Sequence, residues 1–181
     1  MSLSSLSRRL APVVAITALM GLAACATPSR PEAMILTATD GLVAAPGDVG
    51  YHSVRSVTAV GGSETDPMWA SQVSNEALQT AVQESLAAAG YIGEEGRPLT
   101  VQVALMGLDQ PAMGFDMTVT SRVRYTVSRD GQAIFNETIQ ASGTAKMGDA
   151  FAGVERLRMA NEKSIQENIK AFLTRFRAGA R

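Results

Sequence analysis

One cysteine, one histidine and one tryptophan occur in 181 residues, and aromatic side chains make up only 5% of the chain. Each scarcity removes a class of function. A single thiol can build neither a disulfide framework nor a zinc site made of thiolates. With one histidine, and no thiol beyond Cys25 at the end of an apolar leader, the processed chain has no free thiol and cannot assemble the usual nucleophile and base pairs. Charged residues reach 18% with a formal balance of −1, so the strongly basic face that nucleic acid requires is missing. A phosphate-cradling loop, a dinucleotide fingerprint, Gly-x-Ser-x-Gly, His-Glu-x-x-His and Ser-x-x-Lys are all absent. The expectation is a protein that is not an enzyme and uses no metal and no cofactor.

What the chain does have begins at its first residues. Arg8 and Arg9 form a short positive region, Leu10 to Ala24 is almost wholly apolar or small, and Ala23-Ala24 offers the small side chains that a signal peptidase accepts. A membrane-spanning helix needs about 20 apolar residues to cross ~30 Å of hydrocarbon. This run has 15 before Cys25, Thr27, Pro28 and Arg30 interrupt it, and it reads as an export signal over 1–24. The four residues Leu22-Ala23-Ala24-Cys25 resemble the lipobox of bacterial lipoproteins. That resemblance implies that the Cys25 thiol receives a diacylglyceryl group and that Cys25 becomes the acylated N-terminus, with palmitate-like chains holding the protein to a membrane. One buried chain holds marginally and two or three hold durably, at ~0.8 kcal/mol per methylene. In enterobacterial lipoproteins an aspartate after the cysteine retains the protein in the inner membrane. Residue 26 is alanine, so the analogy favours the periplasmic face of the outer membrane.

The signal holds two of the 16 basic residues and none of the 17 acidic ones, which leaves the processed chain at −3 with His52 neutral. The 156 residues after Cys25 suit one domain that buries roughly 70% of its unfolded surface. That domain is assigned to 51–181. Residues 25–50 carry the lipidated cysteine, a tether from Ala26 to Glu32 containing Pro28, Ser29, Arg30 and Pro31, and an edge strand over Ile35 to Val43 with Asp40-Gly41 as a turn.

Within the domain, Tyr51 to Val60 reads as a first core strand. Asp66-Pro67 is a helix-start signal, and Val73, Ala77, Leu78, Ala81, Val82, Ser85, Leu86 and Ala89 share one side of a helix ending at Gly90. Leu99 to Leu105 alternates with period two, as does Phe115 to Val127 over 13 residues, with Asp109-Gln-Pro-Ala turning between them. Asp130-Gly131 is a hairpin signal, and Ile134 to Ala141 returns. The register of that hairpin is open, since Phe135 and Ile139 favour one face and Ile134 the other. A last helix from Asp149 to about Phe176 carries Phe151, Val154, Ile165, Ile169, Phe172 and Phe176 in one arc, together with Arg158 and Glu162. Either the helix breaks near Asn161, or this pair forms a salt bridge at the stripe's edge.

The fold class expected is therefore α+β: an antiparallel sheet of about four strands with two helices on one face, in the order β-α-β-β-β-α. Behind a lipobox and a short tether, this order over residues 51–176 resembles small envelope lipoproteins of the YajG type, and more distantly the LptE and LpoB lipoproteins. The resemblance implies an accessory that braces or activates envelope machinery through a protein partner, and it supplies no binding motif. The alternative is a small-ligand or lipid-binding module with a pocket between helix and sheet. Candidate interaction residues are Arg122 and Arg124 on the polar sheet face, and Asp109, Met113 and Asp116 around the turn. Asp109 and Asp116 are read as ordinary turn residues rather than a catalytic carboxylate pair. Met106, Met113 and Met117 are read as adaptable apolar contacts rather than copper ligands.

Overall fold

The structure is a computed structural model, and it describes residues 25–37, 39, 41–66 and 70–179. The signal segment and Pro67 to Trp69 lie outside the described residues. Seven elements follow in order: α1 (Pro31–Met34), β1 (Val54–Val60), α2 (Asn75–Ala88), β2 (Leu99–Asp109), β3 (Met117–Arg129), β4 (Gln132–Ala145) and α3 (Gly153–Gly179). The α+β class and the four strands are as expected.

The sheet is mixed, in the order β1-β2-β3-β4. β2–β3 and β3–β4 are antiparallel, whereas β1 and β2 run parallel, Val57 beside Val101. The reason is the connection: the segment from β1 to β2 crosses through α2, and a helical crossover returns the chain in the direction it started. On β3 the alternation places Met117, Val119, Val123, Tyr125 and Val127 in the core and leaves Thr118, Arg122 and Arg124 exposed. Phe115 precedes the strand and is 77% exposed, so it does not join the inward row.

At the β3–β4 turn, Asp130 and Gly131 both take positive φ, 50° and 77°, as a two-residue hairpin whose twist matches its strands requires. The open register resolves through a bulge. Val127 pairs with Phe135 but Ser128 pairs with Ala133, so Ile134 is the extra residue. Phe135 and Ile139 then point inward, and Ile134 is exposed.

α2 begins later than Asp66-Pro67 suggests. Asp66 forms an isolated antiparallel bridge with Ala70, and the helix starts at Asn75 with Ser74 as its cap, the Ser74 hydroxyl accepting from the Ala77 N–H at 3.1 Å. Ser74→Ala is expected to cost about 1 kcal/mol, read as a lower urea midpoint. Its end is as the sequence suggests, with Gly90 at φ 74°.

α3 is unbroken through Asn161 and lies across β3 and β4. Small residues let its backbone come close: a methyl group on Gly143 would sit 2.2 Å from the Ser164 nitrogen. There the Ser121 hydroxyl donates to the Ser164 carbonyl, and Asn168 Nδ2 donates to the Ser121 and Ile139 carbonyls. Beyond this polar contact, Phe172 stacks on Tyr125 with centroids 4.2 Å apart, and Ile165, Ile169, Leu173 and Phe176 complete the seal. Phe151 falls before the helix and is fully exposed, outside the stripe.

Residues 26–37 and 41–44, expected as tether and edge strand, fold onto the body instead, while Asp40 of the expected turn lies outside the described residues. No strand occurs there among the described residues, and Pro31 at the first helical position opens the single turn of α1. Ala26, Ser29, Met34, Leu36, Leu42 and Ala44 are all buried. The segment runs alongside α3 in the same direction: Arg30 bonds Glu162, the Ile35 carbonyl accepts from Gln166, and the Gly41 carbonyl accepts from Arg177.

Candidate functional site

The residues singled out from the sequence fall in three places. Arg122 and Arg124 are on the exposed face of β3, opposite Gln140 and Thr138 of β4, with Arg124 Nε donating to the Thr138 hydroxyl at 3.3 Å. Thr118 and Thr120 continue this face through hydroxyl contacts to Thr144 and Ser142. A shallow depression of ≈ 370 Å³ opens beside it, between Thr58, Gln102, Ala104, Arg124 and Thr126. Asp109 ends β2 in register with Thr120 on the same face.

Met113 and Asp116 belong to a second place, the tip formed by the β2–β3 loop and the β4–α3 loop. Met113 is 83% exposed, and an Asp116 carboxylate oxygen accepts from the Met147 N–H at 2.9 Å. That bond joins the two loops. Arg156, itself buried, braces them further: its guanidinium donates to the carbonyls of Ala150 and Phe151 at 2.8 and 2.7 Å, and to that of Gly114 at 3.4 Å. Around this brace Met113, Phe115, Met147 and Phe151 face solvent, lining with Gly114 and Arg156 an open cleft of ≈ 520 Å³. Sequence reasoning found Met113 and missed Phe115, Met147, Phe151 and Arg156. Phe115 continued the β3 alternation and Phe151 the α3 arc, so both resembled core; the neighbouring Gly114, Gly148 and Gly153 were the available sign of loops.

Cys25 is the third place. It is a free, exposed thiol, while the next residue, Ala26, is 5% exposed. The attachment of this end is polar. Ser29 N–H donates to the Gln72 carbonyl, and the Ser71 carbonyl beside it accepts from both Gln110 and Asn161 at 2.9 Å. One carboxylate oxygen of Glu162 then accepts from the Arg30 N–H at 2.9 Å, Arg30 Nε at 3.3 Å and Arg158 Nη1 at 2.5 Å. Arg158 and Glu162 side chains are 5% and 4% exposed, so the pair lies in the interior rather than at the stripe's edge. Glu155, on the preceding turn of α3, closes the network on Arg158.

These ion pairs set the pH response. The hydrogen bond from Arg158 holds the Glu155 carboxyl below its ordinary range, and Lys163 does the same for Asp149. A carboxylate whose folded pKa is depressed stabilises the fold above its unfolded pKa, and that contribution is lost as pH falls through the lower, folded value. Stability is thus expected to hold at neutral pH and decline below about pH 4. Glu155→Gln combined with Asp149→Asn should flatten that acid limb, measured as urea midpoints from about pH 7 down to about pH 3.

His52, the single imidazole, adopts φ 43°, stacks on Tyr51 at 4.1 Å and lies 3.2 Å from exposed Glu95. The helix–sheet interior expected by the alternative reading to hold a pocket is occupied by the Tyr125–Phe172 stack and its neighbours, and the clefts at the tip and beside Arg124 lie outside it.

The class defined by these features is a single-layer mixed sheet covered on one face by two helices, with a strapped N-terminal segment and an apolar tip. Among the described residues there is no metal-type cluster of His, Cys, Asp and Glu, and no helix long and apolar enough to cross a membrane. No family model and no curated protein sequence matches the chain. The fold is nevertheless shared with solved structures. A "putative lipoprotein" from Caulobacter crescentus CB15 aligns at TM-score 0.50 and 13% identity, over 74% of this chain and 94% of its own. A Xanthomonas campestris protein of family DUF330 aligns at TM-score 0.52 and 9% identity, over 76% and 90% respectively. At such identities the likeness is one of fold.

Proposed function

We propose that this chain is a lipid-anchored envelope lipoprotein, carried on Cys25 at the periplasmic face of the outer membrane, acting as a non-catalytic accessory to another envelope component. The observation that carries the reading is the junction at Cys25: a signal-like segment and a lipobox-like tetrapeptide end on an exposed thiol, and the next residue is already buried in the fold. A fold shared with a chain described as a "putative lipoprotein" agrees with it. Ala26 in place of aspartate supports the outer membrane. The partner is expected on the polar sheet face, where Arg122, Arg124 and Asp109 are exposed and, among the described residues, covered by no helix.

Substituting the thiol tests the anchor. In the producing bacterium, Cys25→Ser is expected to abolish acylation and to leave the precursor unprocessed at this site, while purified wild type carries a mass increment of acyl chains on residue 25. Wild-type protein recovered without lipid from the soluble periplasmic fraction would overturn the proposal.

A further inference from the structure

The N-terminal segment enters the fold beside the base of the apolar tip. Arg30, Ile35 and Gly41 meet α3 at Glu162, Gln166 and Arg177 in turn, so the segment starts against the N-terminal half of that helix, whose first residue follows the β4–α3 loop of the tip. Ser29 reaches the tip's base in two steps, through the Ser71–Gln72 backbone to Gln110, which stands three residues before Met113. Cys25 is four residues before Ser29, at most about 14 Å of extended chain. Since Ala26 is buried, no slack separates a lipid on Cys25 from the body.

From this geometry we infer that Met113, Phe115, Met147 and Phe151 insert into the headgroup and acyl boundary of the bilayer that holds the Cys25 lipid, making a second contact and fixing the domain's orientation. The inference rests on the lipoprotein reading and extends it to a defined surface. An anchor without slack brings this end against the membrane, and four large apolar side chains on two neighbouring loops are what an interface of that kind takes up. Phe151, fully exposed in water, has the most to gain. The tip is built rather than loose, because Arg156 and the Asp116–Met147 bond tie its loops together. Of the two acidic groups nearby, Asp149 is neutralised by its ion pair with Lys163, and Asp116 is turned toward the Met147 N–H between the loops. With the tip inserted, the polar sheet face stays in the aqueous phase, open to a partner.

The test uses mature, lipidated protein carrying Phe151→Trp, reconstituted in vesicles of phosphatidylethanolamine and phosphatidylglycerol with or without bromine on the acyl chains. Phe151 is fully exposed, so the exchange leaves the fold undisturbed, and wild type supplies the background from Trp69. The indole at position 151 is expected to shift its emission to the blue and to lose most of its intensity in the brominated vesicles. Protein that sediments with the vesicles but shows no quenching at position 151 would overturn the inserted tip and leave the anchor intact. Protein that fails to sediment would overturn both. Phe115→Ser with Met147→Ser, in the same background, is expected to restore the emission without releasing the protein, since the lipid alone retains it.

Discussion

Phe172→Ala is expected to destabilise the folded domain by about 3–5 kcal/mol, a large share of the ~5–15 kcal/mol that holds a domain of this size together. The ring is completely buried and stacks on Tyr125 with centroids 4.2 Å apart and planes 2° from parallel. Phe135 meets it edge-on at 5.7 Å, and Phe176 lies 5.8 Å away on the next turn. Three rings therefore converge on the removed volume from β3, β4 and α3. None can collapse into the gap without abandoning another contact, so the cavity persists and the upper part of the range applies. A fall in the urea midpoint with an unchanged slope is the expected signature. Phe172→Leu, which leaves a smaller void, should lose clearly less. If both variants kept the wild-type midpoint, α3 would not be sealed to the sheet in this way.

Glu162→Ala is expected to cost a comparable ~3–5 kcal/mol, because it leaves the Arg158 guanidinium buried with only Glu155 to meet it. The same substitution removes the acceptor for both the Arg30 N–H and its side chain. Local opening should therefore accompany the global loss, seen as faster amide exchange over residues 29–36. The two effects separate in a double variant. Arg158→Met with Glu162→Leu replaces the pair by apolar groups of similar length and should regain most of the stability, yet the strap still lacks its acceptor and should exchange fast. Slow exchange there in both variants would show that burial of Met34 and Leu36, rather than Glu162, holds the segment.

The parts of this fold that a reader of the sequence can see are those governed by local rules. β3 is plain because period-two alternation over its length has a single physical solution when one face is wet, and Asp130-Gly131 is plain because few pairs of residues tolerate two left-handed conformations in succession. The bulge at Ile134 and the parallel pairing of β1 with β2 depend on where distant strands meet, which no local pattern encodes. Arg158 and Glu162 looked misplaced on an apolar arc because their completing partners are Glu155 and, 132 positions away, Arg30. The N-terminal strap was hidden for the same reason: Pro28, Ser29 and Pro31 resist regular structure, but nothing local reveals that Met34 and Leu36 fill a groove beside α3.

The candidate site was legible in unequal measure. Cys25 stands out through the order of charge, apolar run, small residues and thiol. Arg122 and Arg124 follow from strand parity. The apolar tip was half-seen through Met113, because two phenylalanines in phase with neighbouring elements are counted as core until the element boundaries are known.

The most direct measurement is intact mass spectrometry of the mature protein together with membrane fractionation of wild type and Cys25→Ser. The expected result is a chain that begins at Cys25, carries acyl groups on that residue and sediments with outer membranes, and a Cys25→Ser chain that carries none. A wild-type chain that is soluble and unacylated would contradict the lipoprotein reading and, with it, the membrane-facing tip.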